Sequence, residues 1–167
     1  RRLRDVHPGA AASLEEGLTL AERIGDDAYI SRCLNTIGWL RIECGDSARG
    51  VELSEQSYEV TGRSSRAGPG TGAERRAFIR NNVAEAWMAQ GDLAAAAEAL
   101  DEAHHVVRHP PSSLWMTWRY ATQCYAGLGQ LALLQGDPER ARRLADQSLE
   151  IGVPTRSRKF ESWAWRI

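Results

Sequence analysis

At 167 residues, 43% of them hydrophobic, the chain has apolar content enough for one continuous core. Its 21 basic and 22 acidic residues leave a net charge of −1, which gives no general attraction to nucleic acid or to an anionic membrane. No apolar stretch reaches the ~18 residues that cross a bilayer, and no signal peptide is visible. A cytoplasmic setting is therefore expected. Cys33, Cys44 and Cys124 are odd in number and lack metal-ligand spacing, so they read as reduced packing residues. The chain starts at Arg1 and stops at Ile167 inside an expected helix, as a fragment of a longer protein would.

Taken in order, residues 10–24 place Ala11, Leu14, Leu18 and Ala21 at helical steps, making an amphipathic helix that ends near Gly25-Asp26. Ala28 to Cys44 follows, with Ile30, Leu34 and Ile37 on one stripe. Its partner, Ser47 to Thr61, turns Val51, Ser54, Tyr58 and Thr61 inward. Gly62 to Gly72 is rich in glycine and serine and reads as a surface loop. Helices are then expected over Ala73 to Gln90 and Leu93 to Val107. His109-Pro110-Pro111 ends the latter, and Ser112 or Ser113 can cap the next. Leu114 to Gln135 and Pro138 to Ile151 form another pair. Beyond Val153-Pro154, residues 156–167 begin a further helix with Phe160, Trp163 and Trp165.

Three joints share one chemistry: Gly45-Asp46, Gly91-Asp92 and Gly136-Asp137, spaced 46 and 45 residues apart. A period of that length is the mark of stacked repeats. Glycine can close one helix in the left-handed conformation, and aspartate can cap the next. Aligning on the glycines gives columns of small residues. Gly38, Ala84 and Gly129 stand seven before; Gly50, Ala96 and Ala141 stand five after; Ser57, Ala103 and Ser148 stand twelve after. Beside the first column run Ile37, Val83 and Leu128. Small residues let antiparallel helices approach to about 8–10 Å while the aliphatics supply buried contact.

From about Ala28 to Gly152 this pattern resembles the tetratricopeptide repeat. The period is longer than that family's, and the aromatic expected four before the turn occurs only as Trp87, with Arg41 and Ala132 in the other units. The resemblance implies an all-α fold, a right-handed superhelix of antiparallel hairpins with the first helices on the concave side. One domain over 1–167 is expected, with repeats at about 28–62, 74–108 and 113–152 and partial repeats at 10–25 and 155–167. An irregular helical bundle is the alternative.

Motifs for chemistry are sparse. Gly68 to Gly72 lacks the Lys-Ser/Thr and the preceding strand of a phosphate loop and reads as a connector. His105 and His109 are four apart, yet Pro110 frays the helix there and no third ligand is placed; with His104 they suit a helix C-terminus. Trp115, Met116, Trp118, Arg119 and Tyr120 form the densest aromatic segment, with Arg119 placed to stack on Trp115. That segment reads either as packing between hairpins or as a ligand-facing anchor. No nucleophile–base or zinc-binding spacing appears. No enzyme activity, cofactor or metal is expected within the chain.

The repeat alignment names a groove: Arg32, Asn35, Trp39 and Ile42 on one first helix, Phe78, Asn81, Glu85 and Met88 on the next, Gln123, Ala126, Gln130 and Leu133 on the third. Lys and Arg are largely missing from these positions, so the basic clamp by which some tetratricopeptide domains hold a terminal carboxylate is not matched. Apolar surface mixed with amides suits a peptide with buried anchors. Short phrases, among them Asn35-Thr36-Ile37-Gly38-Trp39 and Ser157-Arg158-Lys159-Phe160, are similar to repeat regions of bacterial ATPase, nucleotide-cyclase-like and LuxR-type regulators. The resemblance implies a regulatory scaffold that contacts a protein, a peptide or another domain of its own chain, or else a sensor of small molecules. Neither a nucleic acid nor a membrane is an expected partner.

Overall fold

A computed structural model describes residues 8–63, 69–110 and 117–167. Among the described residues the protein is all-α, with eight helices. They are α1 (Pro8–Ile24), α2 (Asp27–Glu43), α3 (Ser47–Arg63), α4 (Pro69–Gln90), α5 (Leu93–Arg108), α6 (Thr117–Leu134), α7 (Pro138–Thr155) and α8 (Arg158–Ala164).

The joints explain the boundaries. Gly25, Gly45, Gly91 and Gly136 all take the left-handed conformation, with φ between 68° and 84°. Each turn lets the following aspartate N–H donate back to the carbonyl five residues earlier: Asp26 to Ala21, Asp46 to Arg41, Asp92 to Trp87 and Asp137 to Ala132, at 2.9–3.0 Å. That bond closes the outgoing helix. Aspartate side chains then open the next one. Asp26 accepts from the N–H groups of Ala28 and Tyr29, Asp92 from that of Ala95, and Asp137 from that of Arg140. Because the acceptor four before each glycine is a backbone carbonyl, that column can vary from Arg41 to Trp87 to Ala132. A fifth joint does without glycine: Arg156 adopts φ 55°, and Ser157 N–H reaches Gly152 O at 2.9 Å.

Helices pack as sequential antiparallel pairs, α2 on α3, α4 on α5 and α6 on α7. Each second helix also meets the following first helix, and the first helices touch one another in the order α2, α4, α6, α8. All nine small-column residues are buried. A Cβ added at Gly38 would lie 2.9 Å from Gly50 O, and one at Gly50 would lie 2.8 Å from Gly38 O, so these backbones touch. Serine makes the same bond twice: Ser57 Oγ donates to Ser31 O at 2.7 Å and Ser148 Oγ to Thr122 O at 2.9 Å. Both acceptors stand fourteen residues before their joint glycine, where the middle unit has Ala77, buried in the same cluster as Ala103.

The core runs through these interfaces as three adjoining clusters. Leu34, Ile37, Leu53 and Val60 gather Leu14, Leu18 and Ile30. Ile42, Val51, Ile79 and Val83 come next. The largest centres on Leu100, Tyr120, Cys124 and Leu128 between α4, α5 and α6. On another surface Arg80 ties three helices together, paired with Glu55 at 2.7 Å and Glu102 at 2.8 Å over the ring of Tyr58.

Three expected boundaries change. The Gly62–Gly72 loop is shorter, since Gly62 and Arg63 complete α3 and Pro69 to Gly72 open α4; residues 64–68 lie outside the described residues. Proline at a helix start gives up no bond. Helix α7 runs past Ile151 to Thr155 with Pro154 in its last turn. The carbonyl thereby left free belongs to exposed Glu150, where water can satisfy it. The C-terminal segment is helical only from Arg158 to Ala164, because Arg156 is a joint residue. Residues 112–116, with the proposed serine caps, Trp115 and Met116, lie outside the described residues.

Candidate functional site

A cavity of about 610 Å³ opens on the face formed by the first helices. Helical spacing builds its walls. Arg32, Asn35, Thr36 and Trp39 make one stripe of α2, and Arg75, Phe78 and Asn82, with Glu74 beside them, make one stripe of α4. Trp118, Arg119 and Gln123 come from the first two turns of α6. Ser157, Arg158, Lys159 and Phe160 come from the start of α8. Each of these four helices therefore contributes one aromatic ring and at least one cation.

An amide relay crosses the wall. Gln123 Nε2 donates to Asn82 Oδ1 at 3.0 Å, and Asn82 Nδ2 donates to Asn35 Oδ1 at 3.1 Å, linking α6, α4 and α2. Phe78 meets the edge of Tyr120, ring centres 5.7 Å apart, and carries the Arg119 guanidinium over its own ring at 5.4 Å. At the far end α8 returns to α2. Lys159 Nζ lies 3.0 Å from Glu43 Oε1 and 4.6 Å from the centre of the Trp39 ring, with Trp163 at 4.9 Å.

Two ionisable groups are displaced by this setting. Burial, followed by the neighbouring Arg32 charge, pulls the Arg75 guanidinium below its usual range, while Asp26 acts the other way. Burial pushes the Glu85 carboxyl up to about 7; Lys159 opposes the shift and Glu43 adds to it. Oε2 of Glu85 is closed off from solvent with no hydrogen-bond partner.

Of the residues expected in the groove, Arg32, Asn35, Trp39, Phe78 and Gln123 line the cavity. Others do not. Asn81 is buried and donates to Tyr120 O at 3.1 Å. Ile42, Met88 and Ala126 belong to the core. Gln130 and Leu133 are exposed away from the cavity, and Glu85 sits near Lys159. The reason is geometric: the cavity spans 74–82 of α4 and 118–123 of α6, their first halves, whereas the repeat columns run along whole helices. The second half of α6 instead meets the tail after α8, where Ile167 comes close to Gly129.

The cavity is nonetheless basic, largely through positions that the alignment did not name. Arg32, Arg75, Arg119, Arg158 and Lys159 line the cavity against one lining carboxylate, Glu74. Arg75 stands three residues before Phe78 and seven before Asn82, so helical spacing from Phe78 was the signal that could have found it. Nothing local marks Lys159, which reaches α2 across 116 residues of sequence.

The aromatic segment divides. Tyr120 is fully buried, Trp118 is 37% exposed at the cavity, and Arg119 stacks on Phe78. His105 and His109 are exposed with rings 4.6 Å apart, and His104 packs against Tyr125. Among the described residues no group of three His, Cys, Asp or Glu side chains is placed to hold a metal. The cysteines are free, and burial pushes the Cys124 thiol up to about 12. No helix among the described residues is long and apolar enough to cross a membrane. No protein-family model matches the chain, and no curated protein matches it significantly.

Proposed function

We propose that this chain is a non-catalytic helical-repeat module of tetratricopeptide type, its hairpins stacked in a right-handed superhelix. Its inner face holds a segment of a partner protein or of another domain of its own chain. The observation that carries this reading is the origin of the cavity wall: its described residues come from α2, α4, α6, the start of α8 and Ser157 just before it. The second helices, whose inward faces build the core, supply none of it. Stacked repeats present ligands with such a surface, built from equivalent helices and fixed by the packing behind them. The segment-binding role suits the regulatory position that short phrases such as Asn35 to Trp39 imply.

Selection from a random display library of unstructured decapeptides tests it. Peptides that bind the chain should lose at least about tenfold in affinity to Trp39→Ala or Phe78→Ala, as buried aromatic anchors do, with helicity by circular dichroism unchanged. Full affinity in both variants would remove the inner face from consideration.

A second reading has its own support. The volume falls within the roughly 300–1,000 Å³ of small-ligand sites, and Trp39, Phe78, Trp118 and Phe160 surround it with rings. A small-molecule sensor would show a ligand-dependent rise in melting temperature across a metabolite panel; no rise with any compound would count against it.

A further inference from the structure

Among the described residues, the cavity lining carries five cations and one carboxylate, Glu74. Two of its five cations have carboxylate partners: Lys159 pairs with Glu43 at 3.0 Å and Arg158 with Glu161 at 3.5 Å. The other three, Arg32 on α2, Arg75 on α4 and Arg119 on α6, form no ion pair among the described residues. Two of them flank Phe78, and Arg32 lies over the ring of Tyr29. Arg119 lies over the Phe78 ring, and Arg75 stands one turn before Phe78 on the same stripe.

Arg75 is the telling member. Its Nη1 is shut off from solvent and has no hydrogen-bond partner, and Arg32 acts on it as a like charge. Elsewhere the chain treats a part-buried arginine differently, since Arg80 is held by both Glu55 and Glu102. Asp26 offsets part of the penalty on Arg75 from a distance but forms no ion pair with it, and an anion placed between the Arg32 and Arg75 guanidiniums would relieve both the desolvation and the repulsion.

On the reading that the inner face holds a polypeptide segment, we infer that the segment is acidic, its carboxylates engaging Arg32, Arg75 and Arg119 while an apolar side chain packs against Phe78. Spacing supports this. Neighbouring helices lie about 8–10 Å apart, and an extended chain presents side chains on one side every ~6.6–7 Å, a difference that glutamate side chains span. A row of single charges fits better than one concentrated dianion, because the three guanidiniums sit on three helices and Glu74 shares the wall.

The test uses fluorescein-labelled decapeptides in anisotropy titrations against the whole chain: alternating Glu and Leu, alternating Gln and Leu, alternating Lys and Leu, and alternating phosphoserine and Leu. The Glu–Leu peptide should bind at least about tenfold tighter than the Gln–Leu peptide and weaken as salt is added. Arg75→Ala with Arg119→Ala should erase that preference with helicity unchanged, and Arg143→Ala on exposed α7 should leave it intact. Should the double variant fail to fold, exposed Arg119→Ala alone should weaken Glu–Leu binding by about threefold or more. Equal binding of the Glu–Leu and Gln–Leu peptides would overturn the acidic preference while leaving segment binding in place. Binding of the phosphoserine or lysine peptide in preference to the glutamate peptide would overturn it too. If no peptide of any charge bound, segment binding itself would fall with it.

Discussion

Hairpins α2–α3 and α4–α5 solve the same packing problem with different side chains. In the first, Gly38 and Gly50 bring the backbones into contact, and Ser31, Ser57 and Thr61 fill the remaining space with hydroxyls that satisfy one another at 2.7–2.9 Å. In the second, the equivalent contacts are Ala84, Ala96 and Ala103, all without exposure. Glycine sacrifices helix propensity for close approach, and alanine does the reverse. The hairpins also differ in their buried polar groups. In α2–α3, Ser31, Ser57 and Thr61 are paired and only the neutral hydroxyl of Ser54 is not, whereas α4 carries Glu85 with an unpaired carboxylate oxygen. A repeat thus conserves the size of the contact and not its chemistry.

The largest effect should come from forcing the first hairpin into the chemistry of the second. Gly50→Ala would set a Cβ 2.5 Å from Ile42 Cγ1 and 2.8 Å from Gly38 O. It should lose about 2–3 kcal/mol in urea denaturation despite better helix propensity. The reverse change, Ala96→Gly, should cost only about 1 kcal/mol, through propensity. Equal losses would mean that the two hairpins pack alike.

Next in size, Glu85→Gln should stabilise the protein by about 2 kcal/mol at pH 8. The sign follows from a folded-state carboxyl near 7 against an ordinary 4.5. The folded chain is penalised for holding the carboxylate above pH 7; the penalty fades as pH falls toward 4.5 and vanishes below it. Thermal melts of both proteins at pH 8 and pH 4 should show the gain only at pH 8, and a gain independent of pH would contradict the assignment.

Ser57→Ala should cost about 1 kcal/mol by removing the bond to Ser31 O, measured by the same denaturation. Smallest of all, Ala103→Ser should change stability by no more than about 0.5 kcal/mol, because Ala77 occupies the column of Ser31, whose carbonyl accepts from Ser57 in the first hairpin. A loss as large as that of Gly50→Ala would show that the two interfaces are not equivalent.

These residues also show what the sequence made legible. Gly-Asp joints and small columns repeat because every hairpin needs the same turn and the same approach, so spacing located them, and each small-column residue is buried as expected. The cavity is different. Its cations occupy unequal columns, thirteen before the joint for Arg32, sixteen for Arg75 and seventeen for Arg119, so alignment passed over the last two. Projecting columns along whole helices also placed Asn81, Met88 and Gln130 in a groove that covers only part of each helix. The closure by α8 rests on Lys159 meeting Trp39 and Glu43, a contact that no periodicity carries. Packing repeats and is readable; the cavity lining is assembled from its exceptions.

The most direct test of the inner face as the binding surface is photo-cross-linking. Benzoylphenylalanine would be placed at position 78 in one protein and at exposed position 146 on α7 in another, each irradiated with the tightest library-selected peptide. Attachment at 78 and none at 146 is the predicted result. Attachment at 146 and none at 78 would contradict it.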